Sequence, residues 1–120
     1  MASNDGSNRF ESLKKSREFR FLFKNGNSCV TYGFVCYYAE SANGNRLGIV
    51  ASKKIGNAVK RNRAKRVIRE AFRVAERELR RKTDKRYDFV FVARGKTPYL
   101  KSTQIYELIE KIFSKLVEPV

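Results

Sequence analysis

The sequence predicts one small α+β domain, with helices packed on a small mixed sheet in the order α-β-β-β-α-β-α. Three observations predict it. The chain has 120 residues, one domain's worth, with no internal repeat and no low-complexity linker. Hydrophobic residues make up 42% of it and aromatics 12%, enough for a packed interior. Stretches rich in β-branched and aromatic residues alternate with stretches of helical period. The domain is expected over 10–118, and residues 1–9 read as a flexible tail, without the apolar core of a secretory signal.

The elements follow in order. Ser12 or Ser16 can open a first helix that runs to about Lys24, with Gly26 where a left-handed C-cap is expected. Residues 29–39 (CVTYGFVCYYA) read as a strand, as one bent piece or two short ones. The turn Ser41-Ala-Asn-Gly-Asn45 then predicts a hairpin with a strand over Leu47–Ser52. A long helix is expected from about Ala58 to Arg81, ended by Lys82-Thr-Asp-Lys-Arg86. Residues 87–93 (YDFVFVA) make another strand. Ser102 or Thr103 caps a last helix to about Val117, with Pro119 beyond it.

Several chemistries are excluded by composition. The chain has no histidine, the commonest general base and metal ligand. Its 2 cysteines, Cys29 and Cys36, cannot build a disulfide framework or a four-thiolate zinc site. On one extended strand they would lie roughly 23 Å apart, at about 3.3 Å per residue, and so read as reduced, buried thiols of a cytoplasmic protein. The longest apolar run, Phe34–Ala39, is 6 residues, too short to span a bilayer.

Charge points toward function. With 27 Lys+Arg against 12 Asp+Glu, the net charge is +15, which suits a polyanionic partner. Nucleic acid fits best, because each neutralised phosphate releases condensed counterions. Residues 53–86 carry 15 of the 27 basic residues and only 4 acids. On the long helix, Ala64, Ile68, Ala71, Phe72, Ala75 and Leu79 form the stripe expected to be buried. Asn62, Lys65, Arg66, Arg69, Arg73 and Arg80 cluster opposite, and the pattern predicts none of the i,i+4 acid–base pairs of ordinary surface helices. Guanidinium offers a planar fork of donors to phosphate. Glu70, Glu76 and Glu78 are expected to balance charge on a soluble face. Scattered acids and the missing histidine leave no catalytic or metal-ligating set.

The start of this helix is more specific. Lys53-Lys-Ile-Gly-Asn-Ala-Val-Lys-Arg-Asn-Arg-Ala-Lys-Arg66 puts a glycine at a strand-to-helix turn and helix N-terminal amides beside cations, an anion site in outline. The P-loop spacing is absent. The segment SKKIGNAVKRNRAKRVIREAFR closely resembles the signature of the bacterial ribonuclease P protein subunit, with its Arg-Asn-Arg motif at Arg61-Asn62-Arg63. The resemblance runs from Leu13 to about Leu116. It implies a left-handed βαβ crossover, in a fold shared with a domain of a small-subunit ribosomal protein, against the usual hand of such units. It also implies removal of the 5′ leader from precursor tRNA, with Mg²⁺ held by a catalytic RNA and no cofactor on the protein. Contacts to that RNA are expected from Lys53, Lys54, Asn57, Lys60, Arg61, Asn62, Arg63, Lys65, Arg66 and Arg69. Asn62 could instead brace the loop before the helix.

A second surface is aromatic. Phe19 and Phe23, four apart, share one helix face with Leu22 beside them, while Phe10, Leu13 and Phe21 fall on another side. Tyr37 is expected on the opposite sheet face from Phe34 and Tyr38. With Arg17, Arg20 and Lys24 along the same helix, these rings outline a groove, aromatic inside and basic at its rim, that could stack single-stranded bases. The resemblance implies that Phe19, Phe23 and Tyr37 line the cleft for the tRNA leader, and Arg17 is expected to contact the leader from the basic rim. A small basic ribosomal or other structural RNA-binding protein is the alternative; DNA is not an expected partner, since no recognition-helix turn or dimer seam is present, and neither is a membrane.

Overall fold

The computed structural model describes residues 10–117, so the expected tail at 1–9 and Pro119 lie outside the described residues. Five strands and three α-helices follow in order: β1 (Glu11–Ser12), α1 (Ser16–Asn25), β2 (Asn27–Val30), β3 (Phe34–Glu40), β4 (Arg46–Val50), α2 (Ala58–Lys82), β5 (Tyr87–Ala93) and α3 (Ser102–Ser114). Single 3-10 turns occupy Lys53–Ile55 and Thr97–Tyr99. The sheet runs β1-β4-β5-β3-β2 and is mixed, β1 and β5 lying parallel to β4 while β3 is antiparallel to both β5 and β2. The expected order therefore holds, with a two-residue strand added at the front.

The centre of the sheet goes to its most apolar strand. Phe89, Val90 and Phe91 of β5 are fully buried, so β5 needs cover on both faces and neighbours on both edges. It pairs with β3 from Phe34↔Ala93 to Glu40↔Tyr87 and with β4 through the crossover helix α2. The expected hairpin between β3 and β4 is thereby overturned, because β5 lies between them. The segment at 41–45 does turn, with Gly44 at φ +72 in the left-handed region. What it closes is different. The side chain of Asn45, 3% exposed, accepts the Tyr87 N–H (2.9 Å) and donates to Glu76 Oε2 (3.0 Å). This turn is thus fastened to β5 and α2.

The 29–39 stretch resolves into two strands, broken at Thr31–Gly33. Thr31 Oγ1 accepts the N–H groups of Gly33 and Phe34 and donates to the Phe34 carbonyl, a side-chain alternative to ladder pairing. Cys29 and Cys36 consequently stand opposite each other in register, not at the ends of one long strand. Both are free thiols, Cys36 buried but Cys29 only half-buried, and burial, with Cys29 adding a smaller effect, pushes the Cys36 thiol well above its ordinary pKa.

Helix ends also differ from expectation. Ser12 lies in β1, and Lys15 is the residue preceding α1, its N–H donated to the Glu18 carboxylate (3.3 Å). In the same way Lys101 precedes α3 and donates to Gln104 Oε1 (2.9 Å), so Ser102 is the first helical residue instead of the cap. Gly26 has φ −78, an extended conformation. Its glycine is required by space: a Cβ there would lie 2.7 Å from the Leu22 carbonyl oxygen. α3 stops at Ser114, and half-buried Leu116 and Val117 then fold back onto the core.

Two layers cover the sheet. On one face α2 and α3 pack over Phe34, Cys36, Phe89 and Phe91, with Phe72 edge-on to Phe89 at 5.4 Å and Phe113 4.9 Å from Phe89. All six residues of the expected α2 stripe are buried there, joined by Val67. On the other face the ten-residue α1 covers Val90 with Leu22, helped by Leu13. Phe10 and Leu13 precede the helix and do not form a second helical face; Phe10 packs edge-on to Phe72 at 5.0 Å.

Candidate nucleic-acid interface

The basic surface is built at the N-terminal end of α2. Beyond β4, Ser52 Oγ accepts the Lys54 N–H (3.3 Å) and starts the 3-10 turn. Gly56 then takes φ +140, a conformation that glycine tolerates and side chains rarely adopt. Asn57 caps α2, its Oδ1 accepting the Lys60 N–H at 3.0 Å. The cap therefore consumes part of the anion site expected from the bare helix terminus. Lys53, Lys54, Lys60, Asn62, Arg66 and Arg69 are exposed, and Lys65 is half-buried.

The two arginines of the Arg-Asn-Arg motif do internal work as well. Arg61 Nη1 donates to the Gly56 carbonyl at 2.7 Å and so holds the turn before its own helix. Arg63 Nε donates to the Pro98 carbonyl at 2.6 Å, tying α2 to the turn before α3. A guanidinium carries five N–H donors, so each keeps donors for a phosphate while its position is set by the fold. Asn62 is exposed and makes no side-chain hydrogen bond among the described residues, which does not support a bracing role.

Toward its C-terminal end the helix is different. Glu76 is 1% exposed, not on a soluble face, and its carboxylate receives Arg80 Nε (2.6 Å) and Asn45 Nδ2. Arg80 thus forms an i,i+4 pair that the charge pattern did not predict, and its side chain leaves the free basic face. Arg73 is half-buried, its Nε enclosed without a hydrogen-bond partner. Glu78 accepts the Tyr106 hydroxyl. Open cations run along the stretch from Lys53 to Arg69, and Arg81 and Lys82 are exposed again in the last turn of the helix.

The aromatic surface lies across the sheet, beside α1. Tyr37 does face away from Phe34 and Tyr38, and Phe23 packs edge-on against it at 4.9 Å and 83°. Phe23 remains 42% exposed. Phe19 is half-buried over β4 and touches Gly48 closely, since a Cβ on residue 48 would lie 2.6 Å from the Phe19 ring. Val35, Val50 and Val92, all half-buried, continue the same sheet face where α1 leaves it uncovered. Phe19, Phe23 and Tyr37 therefore come together as expected, with Phe19 the most committed to packing.

Arg17 does not join them. It lines a shallow pocket on the other flank of α1 with Phe21, Asn43 and Arg46. In that pocket Arg46 forms a bidentate pair with Asp88 (2.8 and 2.7 Å) and reaches Glu18 at 2.9 Å. These bonds, Asp88 first, hold the Arg46 guanidinium more firmly protonated than usual, against partial desolvation. Partial desolvation raises the Glu18 pKa, but the Lys15 N–H and Arg46 outweigh it and leave the carboxyl below its ordinary value. No sequence pattern marks this cluster, because its members come from α1, β4 and β5. Sequence reasoning also missed Tyr99, 67% exposed beside Lys60; its signal is an aromatic ring in the acid-free stretch 94–106.

The likeness to known proteins extends over nearly the whole chain. The family model described as Ribonuclease P matches residues 8–117. A ribonuclease P protein component from Caldanaerobacter subterraneus subsp. tengcongensis is 41% identical over 104 residues, covering 86% of each chain. One from Clostridium kluyveri is 40% identical over 104 residues, covering 82% of this chain and 91% of its own. Among solved structures, the RNase P protein of Staphylococcus aureus matches with a TM-score of 0.71 at 32% identity, over 90% of this chain and 96% of that one. The RNase P protein from Thermotoga maritima matches with a TM-score of 0.70 at 30% identity, over 91% and 99%.

Proposed function

Because the chain belongs to the ribonuclease P protein family and is a subunit of that holoenzyme, we propose that it joins a catalytic RNA to the leader of precursor tRNA through two separate surfaces. The cations from Lys53 to Arg69 hold the RNA subunit by its phosphates. The groove at Phe19, Phe23 and Tyr37 receives the single-stranded 5′ leader, stacking bases with little sequence preference. Arg20, three residues before Phe23 and so its neighbour on the helix surface, supplies the rim in place of Arg17.

The observation that carries this reading is the division of labour across the sheet. A one-sign helix face grows from the α2 layer, and exposed rings remain on the α1 side. Bond cleavage would fall to the RNA, and Mg²⁺ bound there would supply the metal-ion chemistry of phosphodiester hydrolysis. Among the described residues no three His, Cys, Asp or Glu side chains gather as a metal-binding group. The protein works in the cytoplasm, where precursor tRNA is made in bacteria, and no described helix is long and apolar enough to cross a membrane.

Single-turnover cleavage of precursor tRNA tests the reading. Nuclease-cleared protein is expected to cleave nothing, and the catalytic RNA with Mg²⁺ is expected to cleave at lower substrate concentration once the protein is added. Cleavage by the RNA-free protein, or no effect of the protein on the RNA, would overturn it.

A further inference from the structure

We propose that Tyr99 is a stacking platform for one unpaired nucleobase of the RNA subunit, with Lys60 beside it to meet the adjoining phosphate. This extends the assignment of the Lys53–Arg69 surface to the RNA subunit and rests on it. Tyr99 is 67% exposed and belongs to no aromatic cluster among the described residues, so packing does not explain its ring. The turn that carries it is held from three sides. Thr97, fully buried, donates from Oγ1 to the Gly33 carbonyl (2.6 Å) and accepts the Arg94 N–H (2.8 Å). Pro98 is buried, and its carbonyl accepts Arg63 Nε at 2.6 Å. The Leu100 N–H closes the turn onto the Thr97 carbonyl at 3.1 Å.

A ring standing out from a fixed backbone loses little freedom when a base lands on it. Its surroundings choose the partner. Lys60 Nζ lies 5.5 Å from the ring centroid, so a cation and a π face share one surface patch. Between residues 94 and 106 the chain has Arg94, Lys96 and Lys101 and no acid, a one-sign setting that favours nucleic acid over a protein partner. The turn packs on α2, on the far side of the sheet from Phe23 and Tyr37, which favours the RNA subunit over the leader. Arg63 thereby acts twice, since the guanidinium that faces phosphate also holds the platform in place.

The chain has no tryptophan, so Tyr99→Trp creates a single fluorescent reporter on the platform. Saturating in-vitro-transcribed RNA subunit from the same genome should quench and shift its emission, while precursor tRNA alone should not. Tyr99→Ala should weaken RNA-subunit affinity about ten-fold or more with an unchanged melting temperature, and Tyr99→Phe should bind as the wild type does. Unchanged emission with bound RNA subunit, or wild-type affinity for Tyr99→Ala, would overturn the platform and leave the wider assignment standing. Quenching by precursor tRNA alone would move the platform to the substrate and equally overturn it. If Tyr99→Ala fails to fold, the emission change decides. Failure of the wild-type protein to bind the RNA subunit would sink the wider assignment as well.

Discussion

The two faces of the sheet are filled to different degrees. Under α2 and α3, rings pack on one another, and Phe34, Phe72, Phe89 and Phe91 are all fully buried. Under α1 the cover is one short helix, and Phe23, Tyr37 and the valines beside them stay within reach of water. The same residue types therefore serve two ends. Aromatics that fill a layer stabilise the fold, whereas aromatics that a short helix leaves at its margin keep a free face for a ligand.

Substitutions on the two faces sharpen that contrast. Phe72→Ala is expected to have the largest effect, about 3–5 kcal/mol of stability, read as a fall in melting temperature that harms RNA and leader binding together. Tyr37→Ala and Phe23→Ala should weaken binding of leader-bearing precursor tRNA by about 1–3 kcal/mol, with mature tRNA and melting temperature little changed. Phe19→Ala should fall between the two faces, losing leader affinity and stability at once, because its ring also covers Gly48. Equal losses for leader-bearing and mature tRNA at Tyr37 would break the comparison and return that ring to the core.

A smaller effect is expected along α2. Arg66→Ala with Arg69→Ala should flatten the salt dependence of RNA-subunit binding by about 0.7–0.9 in log–log slope for each phosphate no longer neutralised. Arg80→Ala should leave that slope unchanged and lower the melting temperature, since its partner is buried Glu76. The smallest effect is a pH response on the well-filled side. The hydrogen bond to Glu78, with desolvation, pushes the Tyr106 hydroxyl up to about 12. Folded protein then holds this proton more tightly than the unfolded chain does, so its contribution is present below about pH 10 and lost as pH rises toward 12. Thermal melts of Tyr106→Phe should lack that decline.

Much of this was legible because it is local. The β5 boundaries at 87–93 follow from a dense apolar run, and the α2 stripe follows from its period, so both were predicted closely. Phe19 and Phe23 were paired by a spacing of four on one helix, a relation that survives any tertiary arrangement. The Arg-Asn-Arg surface was visible as a charge imbalance. What the sequence concealed were relations across distance. Glu76 looked like a solvated acid because its partner Asn45 is 31 residues away, and Arg17 looked like a rim residue until α1 was oriented on the sheet.

The sequence by itself determined which segments would be helix or strand, which side of α2 would be apolar, and that the molecule would meet a polyanion. Propensity, periodicity and net charge act over a few residues or over the whole chain, and neither needs a topology. Only the tertiary structure decided that β5 would separate β3 from β4, that Cys29 would face Cys36, and that Arg63 would hold the turn bearing Tyr99. Each of these depends on which buried polar group finds a partner and which strand needs two covered faces. Such demands are met by whatever the completed fold brings near, and no local pattern carries them.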